Sequence, residues 1–210
     1  NSQILKNKNI HVISNGIDTT QFKPIEKSVA REAFNLPTNK KLVLFGAFGG
    51  TSDPRKGFIY LRDALQLLPE NSDIELVVFG ADQPQNLEVS LPVHQVGRLQ
   101  DTVSMALLYS ACDVFVLPSM QDNLPNTLLE SLACGTPCVA FDTGGIPDLI
   151  QHQTNGYLAK LRDVDDLAQG IQWTLNQSLP PATIHQDTRE RFGLRHIIEQ
   201  YHQLYSTLNI

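Results

Sequence analysis

The side chains of this sequence best suited to chemistry are two carboxylates separated by seven residues, Asp122 and Glu130, and a basic pair, Arg55 and Lys56. The basic pair closes a glycine-bearing run, Gly46-Ala47-Phe48-Gly49-Gly50-Thr51-Ser52-Asp53-Pro54, between an apolar stretch and a helical pattern. A loop of that kind offers backbone amides and the positive end of a helix, which suits a phosphate. Arg55 and Lys56 add formal charge to it. The alternative is a solvated basic pair at a helix start, an arrangement the helix macrodipole makes mildly unfavourable. Carboxylates accept hydrogen bonds from hydroxyls, and the spacing by itself shows that both acids and the basic pair could share one rim.

The elements that must position them follow from hydrophobic pattern. Val114 to Leu117 is apolar throughout, as a strand buried on both faces of a parallel sheet is. A loop carries Asp122, and Asn126 or Thr127 can cap a helix with Leu128, Leu129, Leu132 and Ala133 on its apolar side. Gly135 and Pro137 end that helix, Val139 to Phe141 form the next strand, and Gly144-Gly145 admits backbone conformations closed to other residues. Before this stretch, Lys41 to Phe48 is an apolar strand, and Phe58, Leu61, Leu65 and Leu68 recur at helical spacing. Ile74 to Phe79 and Val93 to Val96 are further strands, and Asp101 or Thr102 caps a helix bearing Val103, Ala106 and Leu107. The site is therefore expected at the carboxyl ends of buried strands, where open α/β sheets bind ligands.

The ordered set Pro118-Ser119, Asp122-x7-Glu130, Ala133, Gly135-Thr136-Pro137 and Gly144-Gly145 resembles the nucleotide-sugar-binding motif of retaining family 4 (group 1) glycosyltransferases. These enzymes have the two-domain GT-B architecture. The run from Ile13 to Pro24 resembles the segment that leads from their interdomain linker into the donor domain, with Ser14 in place of a proline. The resemblance implies a nucleotide-diphosphate sugar as donor, with Lys56 on its phosphates and Arg55 compensating for an earlier arginine that is missing after Gly46. It implies Glu130 on the ribose hydroxyls and Asp122 on the transferred sugar, and a frame for the base from Arg98 and Leu99. Arg98 reads equally as a surface arginine. Gly46 and Gly49 of the first loop, and Asn123, Leu124, Pro125, Asn126 and Thr127 of the second, complete the implied donor contacts. The family carries Glu where Asp122 stands and Gly-Phe-Gly where Asn123-Leu124-Pro125 stands. Lys56, Arg55 and the amino end of the 126–134 helix would stabilise charge developing on the leaving diphosphate.

Composition narrows the class. A chain of 210 residues allows one domain or at most two, and 41% hydrophobic with 18% charged residues is globular. No apolar run approaches the ~20 residues of a membrane span. A net charge of −6 argues against a nucleic-acid partner and requires any anion site to be built locally. Three cysteines, Cys112, Cys134 and Cys138, read as buried core residues rather than a metal pair, and six histidines show no ligand spacing. Neither a cofactor nor a metal is expected. The cysteine usage implies a reducing, cytoplasmic setting, and the opening residues, with no initiator methionine and no signal-peptide core, read as part of a longer protein whose missing part could attach it to a membrane.

The expected architecture is a doubly wound, mostly parallel α/β sheet of about six strands, Rossmann-like, forming one half of a GT-B fold. Residues 1–9 read as an interdomain linker, 10–182 as the nucleotide-sugar-binding domain with a first strand at Ile10 to Ile13, and 183–210 as helices able to return to a missing amino-terminal domain. Phe192, Ile197, Ile198, Tyr201, Leu204 and Tyr205 are the expected packing residues of that tail. The amino-terminal domain would recognise the acceptor, so this chain alone is expected not to turn over. Three rivals stand beside the transferase: a dinucleotide-dependent oxidoreductase, opposed by the absence of G-x-G-x-x-G at Gly46, a GT-B nucleotide-sugar epimerase, and a non-catalytic sugar-nucleotide binding module.

Overall fold

The computed structural model describes residues 10–46, 53–69, 73–80 and 87–207. Among these, six parallel strands form one sheet in the order β3-β2-β1-β4-β5-β6. The strands are β1 (Lys41–Gly46), β2 (Ile74–Phe79), β3 (Val93–Gly97), β4 (Val114–Leu117), β5 (Cys138–Phe141) and β6 (Gly156–Ala159). Chain order reverses between β1 and β4, which are hydrogen-bonded neighbours through Val43 and Leu44 on one side and Val114 and Phe115 on the other. That reversal is the topological switch point of a doubly wound sheet, and it opens a crevice at the carboxyl ends of the two strands.

The central strands are buried on both faces, and their side chains alternate between two cores as the pleat requires. Leu42, Leu44, Phe115 and Leu117 enter one core. It is covered by α1 (Lys27–Ala33), α3 (Thr102–Ala111), α4 (Asn126–Ala133), α5 (Ile146–Leu149) and α7 (Pro181–Phe192). Val43, Phe45, Val114 and Val116 enter the other, covered by α2 (Phe58–Gln66) and α6 (Val164–Asn176). Each fully buried Leu or Phe contributes ~1.5–3 kcal/mol relative to exposure, so both layers are held firmly to the strands.

Local chemistry sets the helix ends. Asp101 accepts from the Ser104 amide at 2.8 Å and caps α3, and Asp163 accepts from the Asp166 amide at 3.0 Å and caps α6. Helix α4 differs from expectation. Asn126 is its first helical residue and the cap position is Pro125, so no side chain caps it. Proline has no polar side-chain atom to offer, and the Asn126 Oδ1 instead accepts from Asn15 Nδ2 at 3.2 Å.

Two further expectations need correction. Ile10 to Ile13 is not a strand: none of the described residues pairs with it in a sheet, and Val12 is 85% exposed. The first described residue bound to the fold through its backbone is Ile17, whose amide donates to Phe192 O at 2.9 Å and whose carbonyl accepts from Leu194 N at 3.1 Å. In the tail, α7 lies on α4, with His185 Nδ1 2.6 Å from Ala133 O and Ile184 and Phe192 in the core. Helix α8 (Leu194–Thr207) buries Ile197, whereas Ile198, Tyr201 and Tyr205 are exposed rather than packed.

Candidate functional site

The crevice at the switch point is built from three loops. The first leaves β1 and returns through a 3-10 turn, Pro54–Lys56, to Gly57 and α2. Asp53 caps the turn through the Arg55 amide at 2.9 Å. Gly57 sits at φ 71°, and a Cβ there would collide with the carbonyl oxygen of Pro118. Both the conformation and the lack of a side chain are therefore needed, because the first loop lies directly on the second. Met120 N donates to Arg55 O at 2.8 Å across the same seam.

The second loop, from Pro118 to Pro125, leads from β4 to α4. The third follows β5, and its Gly144, at φ 57°, leaves no room for a Cβ against the carbonyl oxygen of Asp122. Gly145 has an ordinary backbone but is as crowded, with Asn123 O where a Cβ would go. The expected conformational role of this glycine pair thus holds for Gly144, while Gly145 is small because two loops touch.

Across this packed rim Lys56 Nζ meets Asp122 Oδ2 at 3.0 Å. Their side chains are 31% and 18% exposed, so the pair is accessible from the crevice but partly shielded from water. Arg55 does not join them. Its guanidinium binds Asp53, Nε to Oδ1 at 3.1 Å and an Nη to Oδ2 at 2.9 Å, and its side chain is 82% exposed. The Arg55 hydrogen bonds hold the Asp53 carboxyl below the usual carboxylate range and raise the guanidinium in turn.

Glu130 lies in the second turn of α4. Burial pushes its carboxyl above the usual carboxylate range, and a hydrogen bond from the Tyr109 hydroxyl at 2.9 Å pulls the other way. Tyr109 is fully buried, and burial, with the negative charge of Glu130 next, holds the phenol far from ionisation. Asn126 and Thr127 occupy the first turn of α4, whose amides have no side-chain cap and form a positive helix end.

Other expected residues fall around this centre. Gly46 ends β1, and a Cβ on it would overlap the Phe79 ring, so its lack of a side chain serves packing between β1 and β2. Arg98 and Leu99 follow β3 at the same end of the sheet, with Leu99 packed on the core. Asn123 is exposed, Leu124 half-buried and Pro125 buried. Gly49 lies outside the described residues. The cysteines are buried, and burial pushes the Cys134 and Cys138 thiols up to about 12. Among the described residues no three His, Cys, Asp or Glu side chains are placed to hold a metal ion. Nor is any described helix long and apolar enough to cross a membrane.

Sequence reasoning missed Tyr109 and Gly57. The helical spacing of Tyr109, three residues after Ala106, puts it on the buried face of α3, but nothing local ties its hydroxyl to a residue 21 positions on. Gly57 stands between a basic pair and a helix, and that position was a usable signal for a left-handed residue.

Comparison with known proteins adds the family. The family model for glycosyl transferases group 1 matches residues 39–177, which include both carboxylates and the basic pair. The chain belongs to the group 1 glycosyltransferases. Curated relatives include a D-inositol 3-phosphate glycosyltransferase of Saccharomonospora viridis, 27% identical over 93% of this chain and 49% of that protein. An alpha-maltose-1-phosphate synthase of Mycobacterium tuberculosis is 32% identical over 88% of this chain and 50% of its own length. This group 1 chain thus spans about half the length of the curated relatives it matches. Among solved structures, the sucrose-phosphate synthase of Thermosynechococcus elongatus superposes with a TM-score of 0.77 at 29% identity, over 94% of this chain and 52% of that one. An Anabaena protein crystallised in complex with UDP superposes at 0.79 with 22% identity, over 94% of this chain and 57% of its own, a likeness of fold. The six-stranded parallel sheet is accordingly one Rossmann-like half of the GT-B architecture.

Proposed function

We propose that this chain is the donor-binding half of a retaining glycosyltransferase, which moves a sugar from a nucleotide diphosphate to an acceptor in glycan or polysaccharide synthesis. The observation that carries the reading is the Lys56–Asp122 pair at the switch point, beside the uncapped start of α4. Each loop that builds it comes from the carboxyl end of a parallel strand, the position at which such sheets receive nucleotides.

In this reading Lys56 leaves Asp122 for the diphosphate, and the amides of α4 complete the charge stabilisation as the sugar departs. No divalent cation is needed for that step. Asp122, freed from Lys56, accepts hydroxyls of the sugar, and Glu130 accepts the ribose hydroxyls. Arg55 makes a smaller contribution, since it must first leave Asp53. The acceptor is bound by a second domain facing the crevice, and α8 is the described element that would reach it.

The test is a set of affinities measured by calorimetry on the full-length protein. UDP, GDP and ADP identify the base, and the matching sugar nucleotide is then compared with its bare diphosphate. Asp122→Asn should lower affinity for the sugar nucleotide relative to the diphosphate, whereas Glu130→Gln should weaken both alike. A buried hydroxyl partner is worth ~1–3 kcal/mol, so the expected changes are roughly fivefold to hundredfold. Equal weakening of both ligands by Asp122→Asn removes the sugar from that carboxylate. Tight NAD binding without nucleotide-sugar binding would replace the transferase by an oxidoreductase.

A further inference from the structure

A part-buried polar contact beside the crevice joins the Tyr109 hydroxyl to Glu130. The Tyr109 ring is wedged edge-to-face between Phe79, with centroids 6.2 Å apart and planes at 85°, and Phe115, at 5.6 Å and 75°. Its backbone is fixed too: the Tyr109 carbonyl accepts from Thr136 Oγ1 at 2.7 Å, which ties the end of α3 to the turn after α4. A ring held by two aromatics and a carbonyl held by a buried threonine leave the phenol oxygen little freedom. That oxygen donates to Glu130 Oε2 at 2.9 Å.

A glutamate has three rotatable bonds, and a partly exposed one on a helix keeps several rotamers open unless a partner fixes it. We propose that Tyr109 is a positioning residue for the donor: its hydroxyl clamps Oε2 of Glu130 so that Oε1 is held ready for the vicinal hydroxyls of a ribose. The proposal rests on the ribose assignment made above and goes beyond it by placing the determinant of ribose recognition on another helix. Burial disfavours the charged form of Glu130, and the hydrogen bond from the phenol acts in the opposite direction, favouring it. The phenol itself stays protonated at any ordinary pH and so remains a donor. Phe79 extends the arrangement to the other side of the crevice, because the same ring occupies the space beside Gly46 at the end of β1.

Tyr109→Phe removes the hydroxyl and keeps the ring between its two aromatic neighbours. The experiment is calorimetry on the full-length protein with the tightest-binding of UDP, GDP and ADP and with its 2′,3′-dideoxy analogue. Wild type should prefer the ribonucleotide by roughly tenfold or more, the worth of a hydrogen bond to a charged group. In Tyr109→Phe the preference should fall below about threefold, with the dideoxy analogue bound nearly as in wild type. Thr136→Val disturbs the same α3–α4 joint without touching the phenol; it should lower the melting temperature and keep the ribose preference. A double-mutant cycle with Glu130→Gln should be strongly non-additive, because a residue that acts through Glu130 has nothing to position once Glu130 is changed. Full ribose preference in Tyr109→Phe, or an additive cycle, overturns the proposal alone. Indifference of wild type to the missing hydroxyls overturns it together with the ribose assignment of Glu130.

Discussion

Both ends of the sheet carry an aspartate facing basic side chains, and the two clusters are built differently. At the amino end, Asp113 accepts from Lys27 at 2.6 Å, from Arg31 at 2.8 Å and from the Leu42 amide at 2.7 Å. Arg31 also donates to the carbonyls of Ala111, Pro37, Thr38 and Lys40, and its side chain is 4% exposed. A hollow opens beside this cluster, but its lysines are engaged, Lys27 with Asp113 and Lys41 with Asn176. At the carboxyl end Lys56 and Asp122 share one hydrogen bond and remain reachable from the crevice. Charges whose hydrogen-bonding capacity is filled inside the fold hold chain segments together. A pair with capacity left over can exchange its partner for a ligand, and the number of committed hydrogen bonds separates the two cases better than charge or residue type.

The largest effect that tests this contrast is Arg31→Met. Removing one partner of a buried ionic cluster costs ~3–5 kcal/mol, a large share of the ~5–15 kcal/mol that keeps a domain folded. Urea denaturation should show that loss, while nucleotide affinity of the folded protein stays as in wild type. A loss under ~1 kcal/mol would mean the amino-end cluster is no more structural than the crevice pair.

Lys56→Ala should do the reverse. Losing a charged hydrogen bond to phosphate removes ~1.5–3 kcal/mol of binding, roughly tenfold to hundredfold in affinity, with little change in the denaturation midpoint. Unchanged nucleoside diphosphate binding in calorimetry would take Lys56 out of the site and erase the contrast.

Arg55→Ala should have the smallest consequence. Its guanidinium is exposed and satisfied by Asp53, an arrangement of little energetic weight, so affinity should change by less than about threefold. A loss as large as that of Lys56→Ala would show that Arg55 swings inward when donor binds, and the two neighbours would have to be treated as one phosphate clamp.

Much of this was legible without coordinates. The strands announce themselves because doubly buried β segments are apolar throughout, as Leu42 to Phe45 and Val114 to Leu117 are. Asp122 and Glu130 could be placed near one rim because a loop and a helix follow such a strand. The misreadings have two causes, partners distant in sequence and, at α4, the stereochemistry of a neighbouring proline. Ile10 to Ile13 has the composition of a strand but pairs with no strand among the described residues, and α4 starts at Asn126 because Pro125 holds the extended cap position before it. Ile198, Tyr201 and Tyr205 have the spacing of a packed face, yet in this fold only Ile197 of α8 is buried.

By itself, then, the sequence determined the class of sheet, its helices and the identity of the residues available for chemistry, because hydrophobic period, caps and breakers act within a few residues of chain. Only the tertiary structure decided which of those residues meet. It set Arg55 against Asp53 and Lys56 against Asp122, although the two bases are adjacent and equally charged. It brought the Tyr109 phenol to Glu130 and packed Gly57 and Gly144 against the loop between them. These pairings depend on the register of β1 beside β4 and on how closely three loops can stack, and both are properties of the assembled sheet.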